Sequence, residues 1–470
     1  LREGITLAAA AGKLGLVLSL LAEGLKGKVA ESVSLELVPG VALVLKADPL
    51  GSLFAVLAAG LWVVTSVYSI GYMRGLGYGH QTGYFASFAV CLSATMGIAL
   101  ANNLLTFFLF YEILTIATYP LVIHRRSPEA IAAGRKYLVY TLAAGQVLLL
   151  AIIWVEVLAP GAAFQPGGFL AGRAPDKVLA VIFLLFVVGL GVKAAVMPLH
   201  GWLPTAMIAP TPVSALLHAV AVVKAGAFGF VRVAGYVFGP QWLAQVGAGP
   251  VLAWAAAVTI VLASLRALAE DNLKRRLAYS TVGQLSYVVL GAGLGTPAAL
   301  AGAAFHIVAH ALMKITLFFC AGAIYVATHR ENVSEMDGIG RQMPLTMTAF
   351  AVGTLGIVGM PFMVGFISKW YLGMGALEAG QGAFVAVLLV SALLSSGYFF
   401  PIVYRAFFRR GENAAIREAR AALLVPLLIT AVGAVVLGVF PNLGVNFFQL
   451  ALMVAESVTH TGGGGMAGGP

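Results

Sequence analysis

Charge is what this chain has least of. Only 10% of its 470 residues are Asp, Glu, Lys or Arg, against about 25% in a soluble globular protein. Apolar residues make up 60%, and the mean hydropathy is +0.96. A soluble fold needs surface charge to stay dispersed and has nowhere to put so much apolar side chain. A disordered chain would be polar and charged. Cysteine is also scarce: Cys91 and Cys320 sit inside apolar stretches without metal-type spacing, so neither a disulfide framework nor a zinc site is implied. No GxGxxG follows a strand and no cysteine quartet occurs, and no motif for nicotinamide, flavin, quinone or an iron–sulfur cluster can be read. The formal net charge of +10, from 28 basic and 18 acidic residues, accompanies no soluble domain. It therefore reads as the loops of a membrane protein rather than as a nucleic-acid surface.

What remains is a succession of apolar runs. About 20 such residues cross a bilayer as a helix, and runs of that kind fall at 4–24, 50–72, 84–101, 104–123, 132–158, 179–209, 212–236, 247–268, 276–294, 298–326, 345–375, 382–404 and 421–440. The fold class is all-α and polytopic, a single membrane domain over 1–470 with about thirteen crossings. Lys13 makes the first run the weakest. The apolar stretch 445–458 is short for a span and is expected along the interface, and the alternation in Val33-Ser34-Leu35-Glu36-Leu37 predicts a small hairpin within 25–49. The chain begins at Leu1, and no cleavable signal is evident after it.

Basic residues test the topology. One set of alternate loops carries Arg74, Arg125, Arg126, Lys274, Arg275, Arg276, Arg330, Arg341, Arg405, Arg409, Arg410, Arg417 and Arg420. The other carries mainly Lys26, Lys28, Lys46, Arg173 and Lys177. The positive-inside rule assigns the first set to the cytoplasm, as expected for the inner membrane of a cell.

Two runs are interrupted, at Pro198 and at Pro361. Proline removes a backbone donor, and in lipid the freed groups are tolerated only where protein or a wet cavity satisfies them. Broken helices at matching places in two halves point to an inverted-repeat transporter and its ion site. Ordinary proline kinks are the competing reading. A charge at mid-bilayer costs about 2.5–3.5 kcal/mol on insertion scales, yet Glu112, Lys193, Lys224, Lys314 and Lys369 all fall inside runs. His306, His310 and Lys314 recur at i, i+4 and i+8, a stripe roughly 12 Å long that drifts about 40° per step. Such a stripe suits proton hopping; zinc binding by the two histidines and plain helix-to-helix hydrogen bonding are the alternatives. His218 and Lys224, six residues apart, would lie about 120° apart on an unbroken helix and link two neighbouring sites. Gln284 with Ser280 and Tyr287 makes a milder polar face, read as packing. Taken together, these groups describe a proton or cation path.

The motifs carry a resemblance as well. Pro198-Leu199-His200-Gly201-Trp202-Leu203-Pro204, Ala209-Pro210-Thr211-Pro212-Val213-Ser214-Ala215-Leu216-Leu217-His218-Ala219, Phe110-Tyr111-Glu112, the segment His306 to Lys314, and Gly359-Met360-Pro361 through Ser368-Lys369 resemble the signature of antiporter-like membrane subunits. These occur in respiratory complex I, in Mrp-type multisubunit sodium/proton antiporters and in membrane-bound hydrogenases. The likeness runs over about residues 45 to 405. It implies about fourteen transmembrane helices with two inverted five-helix repeats, here 84–236 and 247–404, and one helix ahead of Leu1.

By the same resemblance Glu112 and Lys193 form the modulating pair of the first half-channel. Lys224 and His218 lead from it to a central relay of Lys314, His306 and His310, and Lys369 is the exit group. A carboxylate near an ammonium favours the charged lysine, and separating the two favours proton release. The implied function is proton translocation, with or without sodium, most like the D-type subunit of Mrp antiporters. The alternative is the proton-pumping subunit of a complex I-type oxidoreductase or a membrane-bound hydrogenase. The expected partners are other membrane subunits, homologous antiporter-like ones included, together with lipid and no nucleic acid. No cofactor or catalytic chemistry is expected in this chain.

Overall fold

The computed structural model describes residues 2–460 except 27, 29, 33, 39, 40 and 412–414. The chain opens with α1 (Arg2–Leu25) and a hairpin of β1 (Leu35–Val38) with β2 (Val41–Leu43). The expected hairpin is thus present, although Val33 lies outside the described residues. There follow α2 (Pro49–Gly75), α3 (Gln81–Leu100), α4 (Leu104–Val122), α5 (Pro128–Leu158), α6 (Asp176–Ala194), α7 (Trp202–Thr205), α8 (Thr211–Ala219), α9 (Val222–Val233) and α10 (Pro240–Gln245). The second half contains α11 (Ala248–Ala269), α12 (Leu273–Leu294), α13 (Pro297–Thr328), α14 (Ile339–Gln342), α15 (Pro344–Val358), α16 (Val364–Glu378), α17 (Ala383–Phe408), α18 (Ala421–Val439) and α19 (Phe447–His460).

Local chemistry sets many of these boundaries. Asp48, Asn103, Ser127, Asn272 and Thr296 each accept a backbone N–H in the first turn of the helix they precede. Pro49, Pro128, Pro297 and Pro344 occupy first positions, where no donor is needed.

Among the described residues, twelve helices are long and apolar enough to cross a membrane, with Thr211–Phe238 as one of them. The thirteenth expected crossing is the broken pair α15 and α16. The protein is therefore a multi-pass membrane protein, and all thirteen sequence runs have counterparts. Most of the helix from Pro297 to Thr328 is buried among the others, whereas in α1 and α17 most residues are not buried. Loops rich in basic residues meet at one end: Arg405 pairs with Asp337, and Val333 N–H donates to Asp271 O at 2.8 Å. At the other end Phe164 N–H donates to Asn102 O at 2.7 Å.

Both expected breaks occur. α6 stops where Ala195 turns left-handed (φ 58), and α15 stops at Gly359 (φ 92). The freed carbonyls find side-chain donors: Trp202 Nε1 donates to Val192 O at 2.7 Å, and Lys369 Nζ donates to Val358 O at 3.0 Å and to Ile357 O. A third discontinuity separates α8 from α9 at Val220 (φ −130, ψ −45) and Ala221 (φ −99, ψ −95). The run 212–236 was expected to be unbroken. No proline or glycine lies between His218 and Lys224, so nothing local marks the gap.

One further expectation is corrected. The stretch 445–458 does not lie along an interface but forms α19, which packs onto α13 and α2. Phe447, Leu450, Ala451, Val454, Ala455 and Val458 are buried, and the Phe448 ring meets Phe305 at 5.3 Å. A 14-residue helix with an apolar stripe finds protein cover there instead of a water boundary.

Candidate functional site: a row of buried lysines and histidines

Lys193, His218, Lys224, His306, His310 and Lys314 are 0% exposed. Glu112 and Lys369 are half-buried, at opposite ends of the row. The first group is built where α4, α5 and α6 meet. Lys193 lies one residue from the end of α6, so the break aims its side chain toward α4. Its Nζ donates to the Tyr111 carbonyl and sits 3.2 Å from the centroid of the Tyr111 ring. Tyr111 is held in turn by a hydroxyl bond to Gly189 O at 3.2 Å. Glu112, the next residue, lies against Gly145 of α5 and is near enough to Lys193 for the two charges to attract. Among the described residues no ion pair within 4.0 Å joins the two. The pair therefore faces one site without direct contact.

α9 brings Lys224 to the centre. Its approach depends on Gly226, where a Cβ would stand 2.3 Å from the Ala194 nitrogen and 2.8 Å from the Lys193 carbonyl carbon. Lys224 Nζ donates to Ile307 O of α13 at 2.9 Å. The charge of Lys224 acts on both His306 and His310. The break at Val220 and Ala221 overturns the angular separation expected for His218 and Lys224, because that estimate required one continuous helix. His218 and Lys224 both act electrostatically on His310.

On α13 the stripe is realised. The rings of His306 and His310 are 6.1 Å apart, and Lys314 Nζ donates to Leu277 O of α12 at 3.2 Å. His306 Nδ1 shares a 2.8 Å hydrogen bond with Ser368 Oγ, while both nitrogens of His310 and of His218 have no protein partner. The charge of Lys369 also reaches His306. Lys369 sits beside an apolar cavity of about 280 Å³ lined by Val358, Phe366, Trp370, Met374 and Leu388. Pro198 and Pro361 lie in the short links that follow α6 and α15.

Several participants escaped the sequence reading. Tyr111 sits inside the quoted motif, yet its carbonyl and ring act as the seat of Lys193, which depends on tertiary geometry. Ser368 lies inside the last of the motifs, and only the folded chain shows its bond to His306. Lys274 had been counted as a loop charge. It donates to Ala209 O at 2.6 Å, lines a polar cavity of about 610 Å³ with Arg125, Glu129, Glu270 and Glu331, and acts electrostatically on His218. The row thus reaches toward the basic end of the molecule.

Chemically, the arrangement offers protonatable groups in series through a low-dielectric interior, where a change of charge at one is felt by its neighbours. Residues 101–395 match the family described as NADH:quinone oxidoreductase/Mrp antiporter, TM. NADH-quinone oxidoreductase subunit N of Desulforudis audaxviator is 37% identical over 438 residues, 88% of this chain and 85% of that protein. Among solved structures, a chain of the Mrp complex from Dietzia sp. superposes with a TM-score of 0.87 at 23% identity, covering 98% of this chain and 93% of its own. A chain of respiratory complex I from Thermus thermophilus superposes with a TM-score of 0.80 at 22% identity, covering 97% and 95%. At those identities the structures speak for the fold alone, whereas the sequence matches carry the family. This chain belongs to the NADH:quinone oxidoreductase/Mrp antiporter transmembrane family.

Proposed function

We propose that this chain is the proton-translocating, antiporter-like subunit of a complex I-type membrane assembly in the inner membrane of a cell. The observation that carries the reading is the row of buried ammonium and imidazole groups from Lys193 to Lys369. Among the described residues none of the four lysine nitrogens has a carboxylate within 4.0 Å. Fixed charges so placed are costly; groups that load and release protons have a reason to be there. The likeness to subunit N over most of both chains favours a redox-driven parent complex, with its redox cofactors in partner subunits and homologous antiporter-like subunits beside this one.

Glu112 sets the charge of Lys193. Lys224 and His218 pass the change to His306, His310 and Lys314, and Lys369 releases the proton at the far end. The second reading is sodium/proton exchange as a D-type Mrp subunit, supported by the fold likeness to the Dietzia complex. The test is proton uptake by inverted vesicles that contain the intact complex, with and without sodium. Electron donor-driven uptake that Lys193→Ala abolishes, at normal assembly, is the expected result. Uptake that needs a sodium gradient and no electron donor would support the exchanger. Normal uptake by Lys193→Ala and by Glu112→Ala would end both readings.

A further inference from the structure

The histidine stripe of α13 is flanked by a second file of polar side chains that the path described so far does not use. Ser280, Gln284 and Tyr287 recur at i, i+4 and i+7 on α12, and Ser391, Ser395 and Tyr398 recur in the same way on α17, so each set occupies one helix face. All six are at most 1% exposed. The two faces meet through their tyrosines. Tyr398 Oη donates to Ser280 Oγ at 3.0 Å and shares a 3.0 Å bond with Ser395 Oγ. One turn deeper, Tyr287 Oη donates to Ser391 Oγ at 2.7 Å.

The ends of this file are defined. Toward the basic face, Leu277 O, one turn before Ser280, accepts Lys314 Nζ at 3.2 Å, and Arg276 holds the Tyr398 carbonyl at 2.8 Å. At the inner end, Lys369 Nζ lies 5.3 Å from the Tyr287 ring, and His306 meets the same ring edge-on at 5.2 Å. Between the two hydroxyl clusters stands Gln284, whose side chain interacts with Tyr287 and whose Oε1 is buried without a donor. An orphaned amide oxygen in an apolar interior costs about 1–3 kcal/mol, and a single water with several polar partners would satisfy it.

We propose that these groups, joined by one water on Gln284 Oε1, form a second proton route from the level of Lys314 to Lys369, parallel to His306 and His310. This rests on the proposed translocating function. Each hydroxyl oxygen takes a proton from one neighbour and passes its own to the next. With the hydroxyls as they stand, Tyr287 donating to Ser391 and Tyr398 to Ser280, a proton taken up at Tyr287 is matched by one released at Ser280. Once the hydroxyls have turned, a proton given up by Lys314 enters at Ser280 and one leaves Tyr287 for Lys369, with an N–H or O–H bond made for each one broken. Rotation of the hydroxyls resets the file. A serine or tyrosine can do this because each both donates and accepts; five such groups, with Gln284 among them, on two facing stripes exceed what packing alone requires.

The experiment uses the intact complex in inverted vesicles, with proton uptake normalised to assembled complex. Tyr398→Phe and Ser391→Ala cut the same file at different points, and His306→Gln cuts the other. Each single variant is expected to lower uptake by about half, and Tyr398→Phe with Ser391→Ala to be no worse than either alone. Tyr398→Phe with His306→Gln is expected to lose about tenfold or more, well beyond the product of the singles. Ser391→Thr, which keeps the hydroxyl, is expected to transport no worse in the His306→Gln background than His306→Gln alone. Simple multiplication of the losses, an unchanged rate in Tyr398→Phe, or loss of assembled complex in both file variants would overturn the second route. Lys193→Ala runs alongside: if it transports normally, the translocating function itself fails, whatever the file does.

Discussion

The ammonium of Lys193 rests on the ring and carbonyl of Tyr111, not on the carboxylate of Glu112 one residue further along α4. A cation over an aromatic face in a desolvated setting gains about 2 kcal/mol, so Tyr111 offers the lysine a seat that competes with the carboxylate. The two seats lie on one helix turn, which makes the choice between them a natural switch. Tyr111→Ala removes the ring and is expected to drop proton uptake by about tenfold, with Lys193 held closer to Glu112. Tyr111→Phe keeps the ring and loses only the hydroxyl bond to Gly189 O, a net loss of about 1 kcal/mol, and is expected to retain most uptake. Equal loss in the two variants would show that the ring is not the seat.

Gly226 is where α9 crosses the end of α6. An alanine there would place its Cβ 2.3 Å from the Ala194 nitrogen, a backbone atom that cannot swing away. Overpacking of this kind costs about 1–3 kcal/mol. Gly226→Ala is expected to lower the thermal midpoint of the purified complex and to slow uptake by moving Lys224 from Ile307 O. An unchanged midpoint together with an unchanged rate would refute the close crossing.

His306 is oriented by one bond, from its Nδ1 to Ser368 Oγ. Ser368→Ala leaves both ring nitrogens without a protein partner in a fully buried site. Ser368→Thr preserves the hydroxyl. Uptake is expected to fall by no more than about half in the alanine variant, the loss expected of His306→Gln, and to shift its dependence on pH, while the threonine variant follows the parent protein. Identical pH profiles in all three would mean that Ser368 does not set the state of His306.

How much of this was legible in the sequence depends on where the information lies. The spans were readable because a bilayer imposes one simple demand, a long apolar run, and each of the thirteen runs meets it. The breaks at Pro198 and Pro361 were readable because proline announces a lost donor. The gap at Val220 and Ala221 was not, since those residues favour no break themselves and the packing around them imposes it. The buried charges were conspicuous against their apolar setting, but their partners were not. Tyr111 O, Ile307 O and Leu277 O accept hydrogen bonds from the lysines through backbone carbonyls that every residue owns, so no side-chain pattern marks them. α19 went astray for a related reason: an apolar stretch too short to span looks the same whether an interface or a protein groove covers it.

At the basic end, Asp337 ties the loop ahead of α14 to the C-terminal end of α17. Arg405 Nε donates to its Oδ1 at 2.7 Å, and Arg409 lies 3.7 Å from Oδ2. The guanidinium of Arg405 beside it holds the Asp337 carboxyl below the ordinary carboxylate range. A depressed carboxyl stabilises the fold fully above the unfolded-state value, about 3.9, and that contribution disappears as the pH falls through the lower folded value. With the side chain 32% exposed, the pair contributes at most about 1 kcal/mol. Asp337→Asn is therefore expected to be slightly less stable than the parent at pH 7, with the difference shrinking below about pH 4. Thermal unfolding of the two proteins across that range measures it. A difference that stays constant to pH 3, or grows on acidification, would mean that the loop and the helix end are held together by something other than this ion pair.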